Sequence, residues 1–458
     1  MKKNPIITLC FTCILSLLVT SCESLIEIDL PDNQINREIV FTDINTANSA
    51  LAGLYLTMRN KSVLSGNTTG MGYFMGMYTD EIESLFNTTN DFYYIYNNNP
   101  LPTNNLINNI WTNTYSNIYA INSFIEGLTS SKTIPEQQKR NLLGEAFVLR
   151  ALQYQVLAQL FGDIPYTTTT DHKINNTLKK TKSIEILMQV QQDLLLAFDL
   201  LDYNYRDNER IYPNKSVVEL LLAKNYLLQK DYVKAEFYAN NIISNPNYQL
   251  QMDINKVFKK NASSTLWQLH WNAQGNATLE ASTYIFVNTP NNQILSKTFV
   301  ESFETLDRRK DNWIKIIKQD DTVLWAHPYK YKNKTNNTDE YSIVFRIEDV
   351  YFLLAEALIY QEKITPAIEL INKIRQRAGL QDLPYNISKE VALDYLLIES
   401  HKEFFTEQGH RFFDLKRNNR LSILSYHKPN WQQRNELLPY PEKDILINPN
   451  LLPQNHGY

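Results

Sequence analysis

Apolar side chains recur at intervals of three and four along much of this 458-residue chain, the spacing that gathers them on one face of a helix. Ala50, Leu51, Leu54, Tyr55 and Met58 mark such a face within Thr46–Asn60. Leu106, Ile110, Ile118, Ile125 and Leu128 mark a second helix. Leu142, Ala146, Leu149, Leu152, Val156 and Leu160 mark a third, which starts near Pro135 and stops at Gly162. Ile186, Val190, Leu194, Ala197 and Leu201 predict a fourth, with Ser183 as its candidate cap. Lys389–Glu407 carries the last clear pattern, with Leu393, Leu397, Ser400 and Phe404 in line and Gly409 at its end. Beyond it, irregular structure is expected to Tyr458.

Two stretches repeat one another. Ser216–Gln229 and Tyr232–Ser244 predict a helix hairpin turning at Lys230-Asp231; Arg346–Gln361 and Pro366–Ala378 predict another, ended by Gly379. Ala223, Tyr226, Ala235 and Ala239 in the first fall at the same offsets as Ala355, Leu358, Ala367 and Ile371 in the second. Small residues at these places let two helix backbones approach closely, the tetratricopeptide pattern.

The helical period fails in two regions. Residues 61–104 carry Gly66, Gly70, Gly72 and Gly76 among Tyr73, Phe74, Tyr78, Phe92, Tyr93, Tyr94 and Tyr96, and read as a loop. Long loops rich in aromatic rings are common places for ligand binding. Residues 246–343 interrupt the repeat. There Thr265–Trp271 predicts a strand entering a loop, Asn272–Asn292 reads as loop with Tyr284, Phe286 and Pro290, and Thr322–Tyr331 predicts another strand. A regular helical scaffold with a less regular lobe of loops and short strands follows, so the fold class is mainly α.

The N-terminus changes the picture. Lys2 and Lys3 precede an apolar run, Ile6–Val19, of the length of a secretory signal and too short for a confident spanning helix. Val19-Thr20-Ser21 then leads into Cys22. Small residues before a cysteine form the acceptor pattern for a thioether-linked lipid, so residues 1–21 read as a lipoprotein signal and Cys22 as the lipidated first residue. Val19 stands where Leu is more common. Residues 22–40, polar and acidic with Pro31, read as a tether.

Composition narrows the chemistry. Lys+Arg number 45 against 49 Asp+Glu, a net charge of −4, so no basic footprint for nucleic acid stands out. The cysteines are Cys10, Cys13 and Cys22, which leaves the body past the signal without a disulfide, a thiolate zinc site or a catalytic thiol. Tyr (28), Phe (20) and Trp (6) are abundant; their flat apolar faces with polar edges suit sugars as well as interiors.

Enzymatic motifs are missing. There is no G-x-S-x-G, no Walker loop, and Gly70-Met71-Gly72 with Gly76 has the wrong spacing for a dinucleotide site. The seven histidines are dispersed, with none at i, i+4 from another, which argues against a metal hydrolase. Asp80 and Glu81 form the one acid pair in the aromatic segment, although adjacent residues in an extended loop point apart. His410, Arg411 and Asp414 read as an irregular segment pinned by an Arg–Asp ion pair while Phe412 and Phe413 pack.

In order along the chain stand Cys22-Glu23-Ser24 through Leu30-Pro31; Trp111, Tyr115, Ile118 and Asn122; Glu145-Ala146 with Leu149-Arg150-Ala151; and Phe161-Gly162-Asp163-Ile164-Pro165. Asp307-x-Arg309, Lys330-Tyr331, Arg346, Glu356-Ala357, Asn372 with Arg375, Arg377 and Gly379, and Gly409–Arg417 follow. Leu438-Pro439-Tyr440-Pro441, Asn448-Pro449-Asn450-Leu451 and Gly457-Tyr458 complete the series. The chain resembles the SusD/RagB-like outer-membrane lipoproteins, nutrient-binding partners of TonB-dependent transporters in Bacteroidota. It departs from the family pattern at Ser400-His401, where Glu-Arg is common, and at Gln408, where Glu is, which puts a local ion pair in doubt.

The resemblance implies tetratricopeptide-like helix pairs with a second lobe, residues 41–245 and 246–458 being the N- and C-terminal parts. It also implies binding without catalysis, capture of oligosaccharide or peptide for a SusC-like transporter, no cofactor beyond the lipid, and an outer-membrane body facing the exterior. Ligand residues do not transfer by motif. The residues themselves nominate Tyr73, Tyr78, Tyr94, Trp271 and Tyr284 as stacking platforms, with Asp80 and Asn272 as hydrogen-bonding groups. A surface glycosidase using loop carboxylates and a tetratricopeptide interaction scaffold are the alternatives.

Overall fold

Asp43 starts the first long helix: its carboxylate accepts from the backbone N–H groups of Asn45 and Thr46, satisfying donors that the helix leaves open. The computed structural model describes residues 37–86, 90–270, 273–319 and 323–458; the expected lipidation site Cys22 and the candidates Trp271 and Asn272 lie outside them. Helix α1 (Ile44–Lys61) buries Leu51, Leu54, Tyr55 and Met58, the face its spacing predicts. Two short helices, α2 (Met71–Tyr78) and α3 (Asp91–Tyr96), flank strand β1 (Ile82–Ser84) where a loop was expected. Helix α2 has no polar side chain except its tyrosine hydroxyls, so it is apolar all round and sits in the core.

Two 26-residue helices follow, α4 (Asn105–Ser130), capped by Asn104, and α5 (Glu136–Phe161). Helix α6 (Ser183–Leu200) packs along α5. Gly144 of α5 permits this contact, since a Cβ there would stand 2.7 Å from Leu201 Cγ. Ser183 is the first helical residue rather than the cap; its N–H donates to Asp163 instead.

The predicted hairpins are α7 (Lys215–Leu228) with α8 (Tyr232–Ile243), and α11 (Ile347–Tyr360) with α12 (Ile364–Arg377). Ala223, Ala235, Ala239, Ala355 and Ala367 are all fully buried at the helix contacts. The two turns match in detail: Lys230 and Glu362 both take φ of 62°, and the next N–H returns to Tyr226 and Leu358 respectively. Tyr232 stacks flat on Tyr360 at 4.5 Å, joining one hairpin to the other.

Between the hairpins lies the lobe, comprising β2 (Thr265–Leu269), α9 (Leu279–Tyr284), β3 (Gln293–Leu295), α10 (Arg308–Trp313), β4 (Ile314–Gln319) and β5 (Val323–Pro328). The predicted strand at 322–331 is β5, and its antiparallel partner β4 carried no clear pattern. Strand β2 pairs antiparallel with β6 (Ser342–Arg346), and β3 pairs with β1, tying the lobe to the N-terminal part. A second small core of Val257, Phe258, Phe299, Phe303, Trp313, Tyr331 and Phe405 fills it. Two later helices are α13 (Lys389–Phe404) and α14 (His410–Arg417), so the segment read as irregular after Gly409 is helical. Gly409 takes φ of 73° to make this sharp join, and a short helix α15 (Glu442–Ile447) follows.

Lobe and repeat meet on buried charge. Arg309 and Arg377 clamp Glu399 and Glu403 of α13, Arg346 reaches Glu403 and Glu407, and Arg377 also bonds Glu348. Asp307 pairs with Arg309, while Lys330 donates to the Glu403 and Phe405 carbonyls at 2.9 and 2.8 Å. Burial alone would raise the Glu403 carboxyl pKa, but Arg377, Arg346 and Arg309 hold it well below the usual carboxylate range. The departure at Ser400-His401 leaves this cluster intact, since Glu399, Glu403 and Glu407 carry the acid side; Ser400 instead donates to Asp414 at 2.6 Å.

Glu403→Gln removes one charge from a buried set and strands its arginines. Its unfolding free energy is expected to fall by about 3–5 kcal/mol, read from urea denaturation followed by circular dichroism.

Candidate functional site

A broad polar hollow opens where α1 ends and the lobe's loops begin. Arg59 and Asn60 form one side; Asn276, Thr278 and Ser282 form a second; Lys334, Thr335 and Asn336 form a third, with Tyr341 and Ser342 at the base. Its volume is about 480 Å³, within the range of small-ligand pockets.

Local chemistry fixes these walls. Gly275 and Asn337 pair as an isolated antiparallel bridge, with N–H···O distances of 3.0 and 3.1 Å, and this holds the two lobe loops side by side. The Asn337 side chain accepts from the Glu340 N–H and donates to the Glu340 carbonyl, which locks the turn. Thr278 caps α9 by accepting from Ala281 N–H at 3.1 Å. Arg59 Nη1 donates to the His270 carbonyl at 2.9 Å, and burial lowers the Arg59 pKa. Ser342 Oγ donates to Glu280 Oε2 at 2.7 Å.

On this fixed frame, the side chains of Asn276, Ser282, Thr335 and Asn336 make no hydrogen bond among the described residues. The groove thus presents amides and hydroxyls ready to pair, two cations in Arg59 and Lys334, and no carboxylate among its described lining residues.

The nominated residues mostly fall elsewhere. Tyr73, Tyr78 and Tyr284 are 2%, 0% and 5% exposed and are core rings, not open platforms. Tyr73 donates to Gln293 Oε1 at 3.0 Å and lies 6.1 Å from the Tyr284 ring, while Tyr78 donates to the Asn435 carbonyl at 3.2 Å. Tyr94 is half-buried on α3 beside the exposed Tyr93, at 5.8 Å ring to ring, away from the groove lining. Trp271 and Asn272 fall between Leu269 and Gly275 of the groove lining, outside the described residues.

Asp80 is buried, at the wall of a separate cavity shared with His401 and Arg411. Its carboxylate accepts two bonds from Arg411, at 2.9 and 2.7 Å; burial would raise its pKa, but Arg411 and then His401 hold it below the usual range. Arg411 therefore joins an Asp as expected, but the acid lies on a distant segment and not in its own motif. Asp414 pairs with Arg417 instead. Glu81 is 2% exposed; Thr406 N–H donates to its Oε2, its Oε1 has no hydrogen-bond partner among the described residues, and burial pushes its pKa up to about 8. His401 Nε2 stands 3.5 Å from that Oε1, with its pKa pushed down to about 3, chiefly by burial. The acid pair is thus one locked anion beside one protonated, buried carboxyl.

Sequence reading missed Arg59, Asn60, Asn276, Ser282 and Lys334–Asn336. The one available signal was the polar run Asn333–Thr338, which looks the same as any solvated loop until its pairing with Gly275 is known.

The described residues thus form a helical-repeat scaffold carrying a loop-built polar groove, and its fold is that of a known family. A family model described as starch-binding associating with outer membrane matches residues 31–227, and the SusD family model matches residues 163–458. The chain belongs to the SusD family. SusD-like protein P2 of Formosa agariphila is 26% identical, across 78% of this chain and 81% of the relative. A SusD superfamily protein from Bacteroides vulgatus superposes with a TM-score of 0.79 at 22% identity, covering 91% of this chain and 99% of the other. Surface glycan-binding protein A from Bacteroides thetaiotaomicron gives 0.76 at 17% identity, covering 91% and 99%. Among the described residues, no helix is long and apolar enough to cross a membrane.

Two outcomes follow from this geometry. Tyr73→Phe and Tyr78→Phe are each expected to lower stability by about 1 kcal/mol in denaturant titration while leaving ligand affinity unchanged. Glu81 holds its proton in the folded state up to about pH 8 but in the unfolded chain only to 4.5. Its contribution is therefore full below 4.5 and lost as pH rises to about 8. His401 acts in the opposite sense as pH falls below 6.5, so the difference between wild type and Glu81→Gln isolates the glutamate. That difference in unfolding free energy is expected to shift against wild type from pH 4.5 to 8.

Proposed function

We propose that this chain is a non-catalytic, lipid-anchored surface protein that captures oligosaccharide in the Arg59–Asn276–Lys334 groove and delivers it to a TonB-dependent, SusC-like transporter. Cys22 carries the lipid, and the body faces outward from the outer membrane. The observation that carries this reading is the groove itself: fixed walls whose amides and hydroxyls have no partner among the described residues match a ligand dense in hydroxyl groups. Family membership supports the outer-membrane association, and a fold neighbour is named a surface glycan-binding protein.

Binding without turnover is supported by the state of the acid pair. A glycosidase needs one acid and one base flanking an accessible bond, whereas Asp80 is held by Arg411 and Glu81 is enclosed. No observation favours the glycosidase or the scaffold reading over this one. Between peptide and glycan, the hydroxyl- and amide-lined groove favours glycan.

A glycan array followed by calorimetry tests the reading. At least one oligosaccharide is expected to bind without release of shorter products, and the double variant Asn276→Ala, Lys334→Ala to weaken it at least about tenfold. Cleavage of the bound sugar, or unchanged affinity in the double variant, would overturn it. Co-purification of the full-length chain with a barrel transporter tests the delivery step.

A further inference from the structure

A second groove lies on a different part of the molecule, sharing no lining residue with the first. It runs between the outer side of α4, the stretch 165–178 and the C-terminal helix α15, and encloses about 410 Å³. Trp111, Tyr115 and Tyr119 line it at i, i+4 and i+8, so consecutive rings rise by about 6 Å along the helix. Trp111 and Tyr115 are 4.8 Å apart and form the inner end, and Tyr119 is 52% exposed at the mouth.

The wall behind these rings is fixed by its own hydrogen bonds. Tyr115 donates to the Pro165 carbonyl at 2.8 Å, Asn175 donates to Thr169 O at 3.0 Å, and Asn448 donates to Leu178 O at 2.8 Å. In front of that wall, the side chains of Thr112, Ser116, Tyr119 and Asn176 have no hydrogen-bond partner among the described residues. Asp444 is the one ionisable acid or base on the described lining apart from the tyrosines. The first groove, by contrast, carries Arg59 and Lys334.

We propose that this groove is a second carbohydrate site, taking a short neutral oligosaccharide with one apolar sugar face on Tyr119 and hydroxyls toward Thr112, Ser116 and Asn176. An aromatic face beside free hydroxyls and an amide matches both surfaces of a pyranose. The absence of a lining cation disfavours sulfated or uronic sugars here. Exposed Leu446 and Ile447, at 75% and 73%, border the groove. An apolar protein partner would nevertheless desolvate the Thr112 and Ser116 hydroxyls without pairing them. The site goes beyond the capture groove and does not depend on it.

Hydrogen–deuterium exchange on the purified full-length chain tests this, with neutral hexasaccharides of laminaran, cellulose, starch, xylan and mannan as probes. At least one probe is expected to protect residues 112–119 and 174–178, and to do so equally in the Asn276→Ala, Lys334→Ala variant. Tyr119→Ala is expected to weaken that binding about tenfold, and Ser116→Arg to block it by filling the groove. Both positions are exposed on α4, so the variants should fold, with circular dichroism as the check. Protection confined to 275–282 and 334–342, protection by none of the probes, or wild-type affinity in both variants would overturn the proposal. Loss of capture at the first groove with this protection intact would instead count against the function proposed above, leaving this site standing.

Discussion

Glu403 is where the two halves of the molecule depend on one another. Its carboxylate sits on α13, fully enclosed, and takes hydrogen bonds from Arg377 of the second hairpin and Arg346 at the end of β6, with Arg309 of the lobe close by. Charges removed from water are costly to bury and more costly to leave unpaired. Each arginine here therefore constrains the element that carries it to one position. Apolar contacts alone would let a lobe slide on a helical scaffold, because burial is non-directional. Fork-shaped guanidinium groups against two oxygens are directional. The Asp80–Arg411 pair applies the same device at a second join, fixing the start of β1 to α14.

That arrangement explains why so many aromatic rings serve the interior. Tyr73 and Tyr284 pack at the join between the N-terminal part and the lobe, while Tyr78 packs on Phe412 of α14 and on Trp431, each hydroxyl finding a partner or a polar neighbour. A tyrosine fills a large volume and still satisfies a buried carbonyl or amide, which suits an interface assembled from short helices and bulged strands. With no cysteine after Cys22, no disulfide can form within the lobe, and rings and ion pairs together hold it.

Regular parts of the fold were legible in the sequence because their constraint is local. Ala223 and Ala355 recur with the same neighbours, and the hairpins and turns appear where that recurrence puts them. The aromatic segment misled for a reason visible in hindsight. Met71–Tyr78 has no polar face, so it shows no period, and the glycines suggested a loop; a stretch apolar on every side belongs inside. Helix α14 was hidden because α13 ends at Phe404 and α14 starts only after the turn through Gly409, whose left-handed conformation reads in sequence as a helix stop. Groove residues were illegible because nothing local distinguishes Lys334–Asn336 from a solvated loop. Their role comes from the Gly275–Asn337 bridge, a contact between segments far apart in sequence.

The charge cluster and the groove are nevertheless one structure, joined by a single strand. Arg346 ends β6 in the cluster, and Ser342 and Tyr341 lie at the other end in the groove. Five residues of strand span about 17 Å, and β6 pairs with β2 at both ends, Arg346 with Thr265 and Ser342 with Leu269, across a bulged register. From β2, Leu269 reaches the same groove, and Ser342 in turn holds Glu280 of α9, the helix that carries Ser282. Moving Arg346 would therefore move two walls of the groove. A surface loop on its own loses much of its binding energy to ordering; loops seated on a strand that is clamped by buried charge arrive already ordered. The costly interior thus accounts for a polar groove whose backbone frame is held in place before any ligand arrives.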